Sequence, residues 1–292
     1  MPRIYSRPSS APWLPRTDMY RALTALNATK EIARLLASRS CQIALQVVSR
    51  PYVTQSGPAI IFAPHQDDET LGCGALIARK RNDGQPVHVV FLTDGSASHP
   101  LHPLLPQSVV AAIRLQESRE VLSVLGVDSQ AIHFFNEPDG TLDRISSARR
   151  EMLVARIMAV LEKLQPTEIF LPCNGDGSSE HDAAFAFVIE AVNRSNVHSH
   201  IWEYPVWLWW NPRALLKRLA LSSGRRRAPT EDFLALKRRA LANYRSQLEP
   251  LPPQTEPALP RDLVRLIDTE AEYFFHFMPP ATLVRTPLPP VI

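Results

Sequence analysis

His65, Gln66, Asp67, Asp68 and Glu69 set one imidazole and three carboxylates side by side, directly after the apolar run Ala59-Ile60-Ile61-Phe62-Ala63. The run reads as a buried strand and Thr70–Asn82 as a helix, so the polar residues fall in the turn between them. In an open α/β sheet such strand ends are where ligands bind. A divalent metal needs imidazole and carboxylate ligands held close together, and a spare carboxylate beside them can move protons. Asp and Glu are equally at home in the first turn of a helix, capping its N–H groups and complementing its dipole. The five residues alone leave both readings open.

A second polar cluster, Asn174-Gly175-Asp176-Gly177-Ser178-Ser179-Glu180-His181-Asp182, follows Ile169-Phe170-Leu171 and opens the next helix. His65, Asp68 and His181 would make a two-histidine, one-carboxylate set with a position open for water, the composition of a catalytic zinc site. Imidazole and carboxylate also suit iron(II) and manganese.

Short apolar segments alternate with helical ones from Ala59 onward. Strands are expected at Ile60–Ala63, Val87–Leu92, Ile132–Phe135, Glu168–Leu171 and His200–Tyr204, with helices at Thr70–Asn82, Val109–Leu125, Ser147–Leu164 and His181–Asn193. This pattern predicts a mostly parallel sheet covered by helices on both faces. Right-handed crossovers then bring the loops holding His65–Glu69, Asp94, Asp139 and Gly175–His181 to one edge. Outside this block, residues 1–17 read as irregular. Asp18 is expected to open a helix to Ser38, with Tyr20, Leu23, Leu26, Ile32, Leu35 and Leu36 near one face. Glu231–Leu248, with Leu234, Leu241 and Tyr244 facing in, and Asp262–Phe277 read as further helices. These expectations divide the chain into an N-terminal extension (1–55), a main domain (56–250) and a helical C-terminal tail (251–292).

The chain resembles the LmbE/PIG-L family of zinc-dependent N-acetylglucosaminide deacetylases. The family's first motif, commonly written PHPDDE, stands here as Pro64-His65-Gln66-Asp67-Asp68-Glu69. The likeness continues through Thr70-Leu71-Gly72-Cys73-Gly74, Leu92-Thr93-Asp94-Gly95-Ser96, Arg114-Leu115-Gln116-Glu117 and Leu125-Gly126. It includes a second motif ending Glu180-His181-Asp182-Ala183, and Lys237–Gln247 resembles the family's Lys-plus-Tyr-Xaa-Ser-Gln helix. The resemblance spans about 58–250. It implies a Rossmann-like α/β fold and removal of an N-acetyl or longer N-acyl group from an amino sugar of a glycoconjugate or glycolipid precursor. It implies one zinc on His65, Asp68 and His181, with water activated by the metal and Asp67 as general base. Arg114 matches an arginine associated with substrate recognition; Asp94, Asp176 and Ser178 join it as substrate-binding candidates. Gln66 replaces the usual proline, Ser178 stands where many members carry a histidine, and Glu180 replaces an aspartate. The missing histidine leaves the general acid to Asp67 itself, or to Asp176, His99 or His102. It also motivates an alternative, a weakened member that binds an acetylated glycan.

The remaining candidates have structural readings beside the functional ones. Asp94 sits in Thr-Asp-Gly, an ordinary turn signal, Arg114 is by default a surface cation, and His133 lies within an apolar strand. His198 and His200 have no companion ligand in sight, and Glu69 caps or packs at a helix start. Val206-Trp207-Leu208-Trp209-Trp210 could stack on a sugar ring, although core packing is the commoner use of Trp.

Composition limits the alternatives. The chain has 292 residues, 45% of them apolar, enough for a large α/β core; its 27 Pro and 10 Gly place loops near both ends. A net charge of +3 with no zinc-finger or aromatic–basic RNA-binding pattern argues against nucleic acid. Arg225-Arg226-Arg227 and Lys237-Arg238-Arg239 read as solvated basic runs, with peripheral contact to an anionic lipid as a further use. Cys41, Cys73 and Cys173 give no disulfide framework. Neither a secretory signal nor a membrane span is evident, so a cytoplasmic protein acting on an N-acylated amino sugar is expected.

Overall fold

The computed structural model describes residues 16–278, with the side chains of its first helix described from residue 28 onward. In chain order the elements are α1 (Arg16–Val48), β1 (Arg50–Pro51), β2 (Ala59–Ala63), α2 (Asp68–Asn82), β3 (Val87–Thr93), α3 (Gln107–Val124), β4 (Ile132–Glu137), α4 (Ser147–Leu164) and β5 (Glu168–Pro172). They continue as α5 (Ser179–Arg194), β6 (His200–Tyr204), α6 (Pro212–Leu221), β7 (Arg225–Pro229), α7 (Leu234–Leu241), α8 (Arg245–Leu248), α9 (Arg261–Ile267) and β8 (Ala271–Phe277). The expectation of an irregular 1–17 lies, up to residue 15, outside the described residues, while residues 16 and 17 already belong to α1; the side chains of Tyr20, Leu23 and Leu26 also lie outside them.

One eight-stranded sheet carries the fold, in the order β1-β7-β8-β6-β5-β2-β3-β4. Strands β2 to β6 pair in parallel, as the alternating pattern requires. Period-two alternation splits each strand between two cores. Ala59, Ile61, Ala63, Val89, Phe91, Phe170 and Trp202 face one layer, with Leu71, Leu76 and Leu122 from α2 and α3. Ile60, Phe62, Val90, Leu92, Ile169 and Leu171 face the other, with Leu153, Ile157 and Val188 from α4 and α5. The chain leaves β2 for β3 on one side and returns to β5 on the other. The β2/β5 boundary is therefore the topological switch point, with the C-terminal ends of both strands at the same edge.

Four expectations are corrected. The first helix runs to Val48, and Ile32 and Leu36 point outward at 58% and 64% exposure. Leu35 does pack inward as expected, and the docking face continues through Ser38, Cys41, Gln42 and Leu45; Ser38 and Gln42 donate to the carbonyls of Trp209 and Leu266. Arg225–Arg227 is no solvated run but strand β7, paired with β1 and β8, and Arg226 is buried. Glu231–Leu248 breaks into α7 and α8, although Leu241 and Tyr244 do face in. Asp262–Phe277 is helical only as α9. Its second half, Glu272-Tyr273-Phe274-Phe275, is a buried antiparallel strand between β6 and β7. The aromatic and β-favouring run in β8 outweighs the helical spacing because it fills a gap in the sheet.

β8 also places His276 opposite Trp202, their rings 4.7 Å apart. Burial, with His200 and Arg226 beside it, depresses the His276 imidazole to about 4. An unfolded imidazole titrates near ~6.5. The neutral ring's stabilisation is therefore complete above pH ~6.5 and is lost as the pH falls toward the folded value, because the unfolded chain takes up the proton first. The urea midpoint is expected to drop between about pH 7 and about pH 5, and less steeply in His276→Phe. Equal pH slopes for the two proteins would refute this account.

Candidate metal centre

Each loop of the site begins where a buried strand runs out of partners. β2 ends at Ala63, and Pro64 O accepts both the backbone N–H and the hydroxyl of Thr93 from the end of β3, at 3.0 and 2.8 Å. Gln66, where the resembled family has proline, donates its amide to Thr93 O at 2.8 Å. The β2 and β3 loops are thus fastened together, and the close approach requires glycine at position 95. Gly95 has φ 69°, and a Cβ there would lie 2.2 Å from Gln66 Oε1 and 2.8 Å from Arg114 Cδ. Asp67 follows with φ 155° and ψ −30°, a sparsely populated backbone conformation for a non-glycine residue. Its carbonyl accepts from Thr70 and Leu71 to start α2, and its N–H donates to Glu69 Oε2 at 3.0 Å.

Three ligand-type atoms converge here. Asp68 Oδ2 accepts the His65 backbone N–H at 3.0 Å and lies 3.2 Å from His65 Nδ1 and 3.4 Å from His181 Nε2. His65, Asp68 and His181 each present a donor atom within 4.8 Å of the others, a set able to hold a metal ion. The far side of each imidazole is held by carboxylates. His181 Nδ1 is 2.8 Å from Asp176 Oδ2; His65 Nε2 is 2.9 Å from Glu180 Oε2 and 3.2 Å from Asp139 Oδ1. Such carboxylate–histidine pairs fix the tautomer and aim the free nitrogen at a metal. His181 Nε2 is buried without a hydrogen-bond partner, as a nitrogen reserved for a metal would be. The residues present therefore fit a divalent cation.

His65, Asp139 and Glu180 form a second grouping of metal-compatible atoms. Its carboxylates already accept from backbone N–H groups, Ala97 to Asp139 at 2.8 Å and Leu142 to Glu180 at 3.0 Å. Their geometry suits an outer shell that receives the His65 Nε2–H.

The electrostatics follow from burial set against close charges. Burial opposes ionisation of Asp68, but His181 and His65 hold its carboxyl well below the usual range. Burial also opposes a charged His181, yet Asp68 and Asp176 raise it to about 10. Asp139 falls to about 2, its burial outweighed by His65. Asp67 goes the other way: burial pushes it up to about 7 despite the Arg114 guanidinium. The acid and base roles of neighbouring carboxyls are commonly separated in this way.

The candidate residues do not all stand in one place. Arg114 is no surface cation: it is 2% exposed, with Nη2 3.1 Å from Asp67 Oδ2 and 2.5 Å from Gln66 O. Asp94 Oδ1 accepts from Ser96 N and Asp139 N, joining the β3 and β4 loops. Asp176 stands behind His181, and Ser178 caps α5 by accepting the His181 N–H at 3.4 Å. His99 and His102 are tied to the 246–254 segment, His99 to Ser246 O and Gln254, His102 to Leu251 O and Pro252 O. Sequence reasoning assigned no role to Asp139 or Glu180. The signal for Asp139 was its place at the shared strand-end edge, and for Glu180 its adjacency to His181.

A family model described as GlcNAc-PI de-N-acetylase, PIG-L, matches residues 60–192. A 1D-myo-inositol 2-acetamido-2-deoxy-alpha-D-glucopyranoside deacetylase of Rhodococcus jostii is 27% identical, over 73% of this chain and 89% of that protein. Among solved structures, an N,N'-diacetylchitobiose deacetylase from Pyrococcus horikoshii is similar with TM-score 0.58 and 21% identity, covering 82% of this chain and 94% of its own. A 4-carboxy-2-hydroxymuconate hydratase from Pseudomonas putida KT2440 is similar with TM-score 0.57 and 15% identity, over 80% of this chain and 100% of its own. These last two likenesses speak to the fold.

If the ligand set is as described, the purified protein will hold about one equivalent of zinc and His181→Ala will lose it on dialysis, as read by elemental analysis. Asp176→Asn keeps every ligand but removes the charge behind His181. Its metal affinity, measured by chelator competition, is expected to fall about 10- to 100-fold. An unchanged affinity would remove Asp176 from the metal's outer shell.

Proposed function

We propose that this chain, which belongs to the PIG-L family, is a metal-dependent deacetylase that hydrolyses the N-acetyl group of an amino-sugar glycoconjugate. The observation that carries this reading is the pairing with His65 and Asp68 of a buried His181 Nε2 that makes no hydrogen bond, beside the carboxyl of Asp67. His65 Nδ1, Asp68 and His181 Nε2 would hold the ion, zinc by the composition of the set. A metal bound there supplies an acidified water and polarises the amide carbonyl.

The chain's own groups do the rest. Asp67 is adjacent to a ligand, almost fully buried, and raised toward neutrality, the range in which a general base works best. Arg114 holds one Asp67 oxygen and fixes the carboxyl's direction. The same carboxyl can take a proton from the attacking water and return it to the departing amine, so a separate acid is not required. This matters because Ser178, at the position of the family's histidine, is occupied as a helix cap. The Ser178 departure also keeps a second reading in view, binding of an acetylated glycan without turnover.

With zinc-loaded protein and a methyl N-acetylglucosaminide, acetate release followed by NMR separates the two readings. Turnover in the wild type, lowered about 10²- to 10⁴-fold in kcat by Asp67→Asn with metal content retained, is the expected result. Binding of the sugar with no acetate release would establish the second reading. Loss of metal from Asp67→Asn would place Asp67 among the ligands.

A further inference from the structure

Asp67 caps the start of α2 in a backbone conformation, φ 155° and ψ −30°, that a non-glycine residue keeps only when its surroundings impose it. A helix start leaves its first N–H groups without carbonyl partners, and the Asp67 side chain caps none of them. Its own N–H donates to Glu69 Oε2 at 3.0 Å, so a side chain two residues ahead reaches back to the cap. That is one half of a capping box, and by itself it serves the helix.

The other oxygen of Glu69 is held from a distant part of the chain. Glu69 is fully buried, and its Oε1 accepts the Tyr244 hydroxyl at 2.7 Å as well as the hydroxyl of Thr70. Thr70 rides on the same helical turn as Glu69. Tyr244, also fully buried, stands at the junction of α7 and α8, 175 positions further along. The two oxygens of a carboxylate are rigidly joined, so a hydroxyl that fixes Oε1 also fixes where Oε2 meets the Asp67 N–H. Arg114 holds the opposite end of the residue, its Nη2 3.1 Å from Asp67 Oδ2. Two separate segments therefore hold Asp67, α3 at the carboxyl and the α7–α8 junction at the backbone.

Building on the deacetylase reading of the metal centre, we propose that Glu69 and Tyr244 are positioning residues for Asp67. Tyr244 acts through Glu69, and Glu69 through the Asp67 N–H, to keep the carboxyl where the attacking water is activated. Without the hydroxyl the Glu69 carboxylate can pivot, the Asp67 backbone relaxes toward commoner conformations, and the carboxyl moves with it. A displacement of ~1 Å at a reacting group can lower a rate by up to ~100-fold. Binding of the sugar in its ground state does not depend on that carboxyl, so the effect belongs in kcat and not in KM.

Tyr244→Phe removes the hydroxyl and keeps the ring. In zinc-loaded protein acting on methyl N-acetylglucosaminide, kcat is expected to fall about 10-fold with KM and metal content unchanged. Tyr52→Phe is the matched comparison. It also takes a buried tyrosine hydroxyl from a buried carboxylate, Glu168 Oε1 at 2.5 Å, but at the start of β5, the end of that strand away from the metal centre. Its kcat is expected to match the wild type. Equal kcat in Tyr244→Phe and wild type overturns the proposal, as does an equal fall in both variants or loss of zinc from Tyr244→Phe. If the wild type turns over no sugar, the deacetylase reading fails separately, and amide hydrogen exchange followed by NMR decides the positioning. The Asp67 N–H is expected to exchange about 10-fold faster in Tyr244→Phe and at the wild-type rate in Tyr52→Phe. Equal exchange in all three proteins overturns the proposal. Should Tyr244→Phe fail to fold, Glu69→Gln, which keeps the side chain's shape and turns one acceptor into a donor, is read by the same two measurements with the same outcomes.

Discussion

A single carboxylate oxygen, Asp68 Oδ2, joins the two halves of this fold. It accepts the His65 backbone N–H and faces His65 Nδ1 and His181 Nε2, residues separated by more than a hundred positions in the chain. That meeting is possible only because β2 and β5 are neighbouring and parallel, so that their C-terminal ends share an edge. Were either strand reversed, the two histidines would sit at opposite ends of the sheet. The same meeting creates an electrostatic demand. Asp68, Asp139, Asp176 and Glu180 lie within hydrogen-bonding distance of two imidazoles in a largely buried space. Buried charge is tolerated only when it is compensated. A divalent cation, or protons on the imidazoles, can supply that compensation, and metal affinity is pH-dependent for this reason.

Much of this was legible in the sequence because its signals were local. The apolar runs that became β2, β3, β5 and β6 are buried on both faces, so each announces itself without reference to the rest of the chain. His65, Asp68 and His181 could be placed together because each follows such a run. The outer shell was less legible. Glu180 reaches His65 Nε2 across the switch point, and nothing in its immediate sequence separates that role from an acidic first helical turn. Arg114 looked like any helix-borne cation until Gly95 proved to leave room for it beneath the loop. The basic run in β7 misled for the opposite reason: its burial comes from pairing with β1 and β8, distant partners that no local pattern reports.

The fold alone does not choose the reaction, since a hydratase shares it as closely as a deacetylase does. Function has to be argued from the site. Here the discriminating group is Asp67, with its unusual backbone, its raised carboxyl and the Arg114 clamp. A buried carboxyl clamped by Arg114 beside the candidate ligands suits the proposed reaction, because amide hydrolysis needs one proton taken and one returned. The position of Ser178 is consistent with that economy, because its oxygen is engaged at the His181 N–H and is not directed at the ligands.

The C-terminal segment is the part of the chain on which this arrangement leans most heavily. Glu272 of β8 accepts from Ala75 N and Leu76 N of α2, each at 2.8 Å, and from Lys237 Nζ at 2.7 Å; Lys237 also donates to Leu71 O. Tyr244 donates to Glu69 Oε1 at 2.7 Å, and Ser246 donates to Glu117 through both its N–H and its hydroxyl. Residues 237–272 thus add a partner for Glu69, hold both oxygens of Glu117, and set a buried ion pair against the helix that begins at Asp68. Removing one member of such a pair leaves an uncompensated charge inside the protein, a larger cost than the pair's own net contribution. The candidate metal motif and the segment that braces it are therefore one mechanical unit. Gly72 shows the tolerance involved: a Cβ there would lie 2.2 Å from the Tyr204 ring, so α2 can pack this closely on β6 only because that position is bare. A metal set is useful for chemistry when its supporting shell is rigid. In this chain the rigidity comes from beyond the residues that the family model matches, from the strand that the sequence pattern presents as a helix.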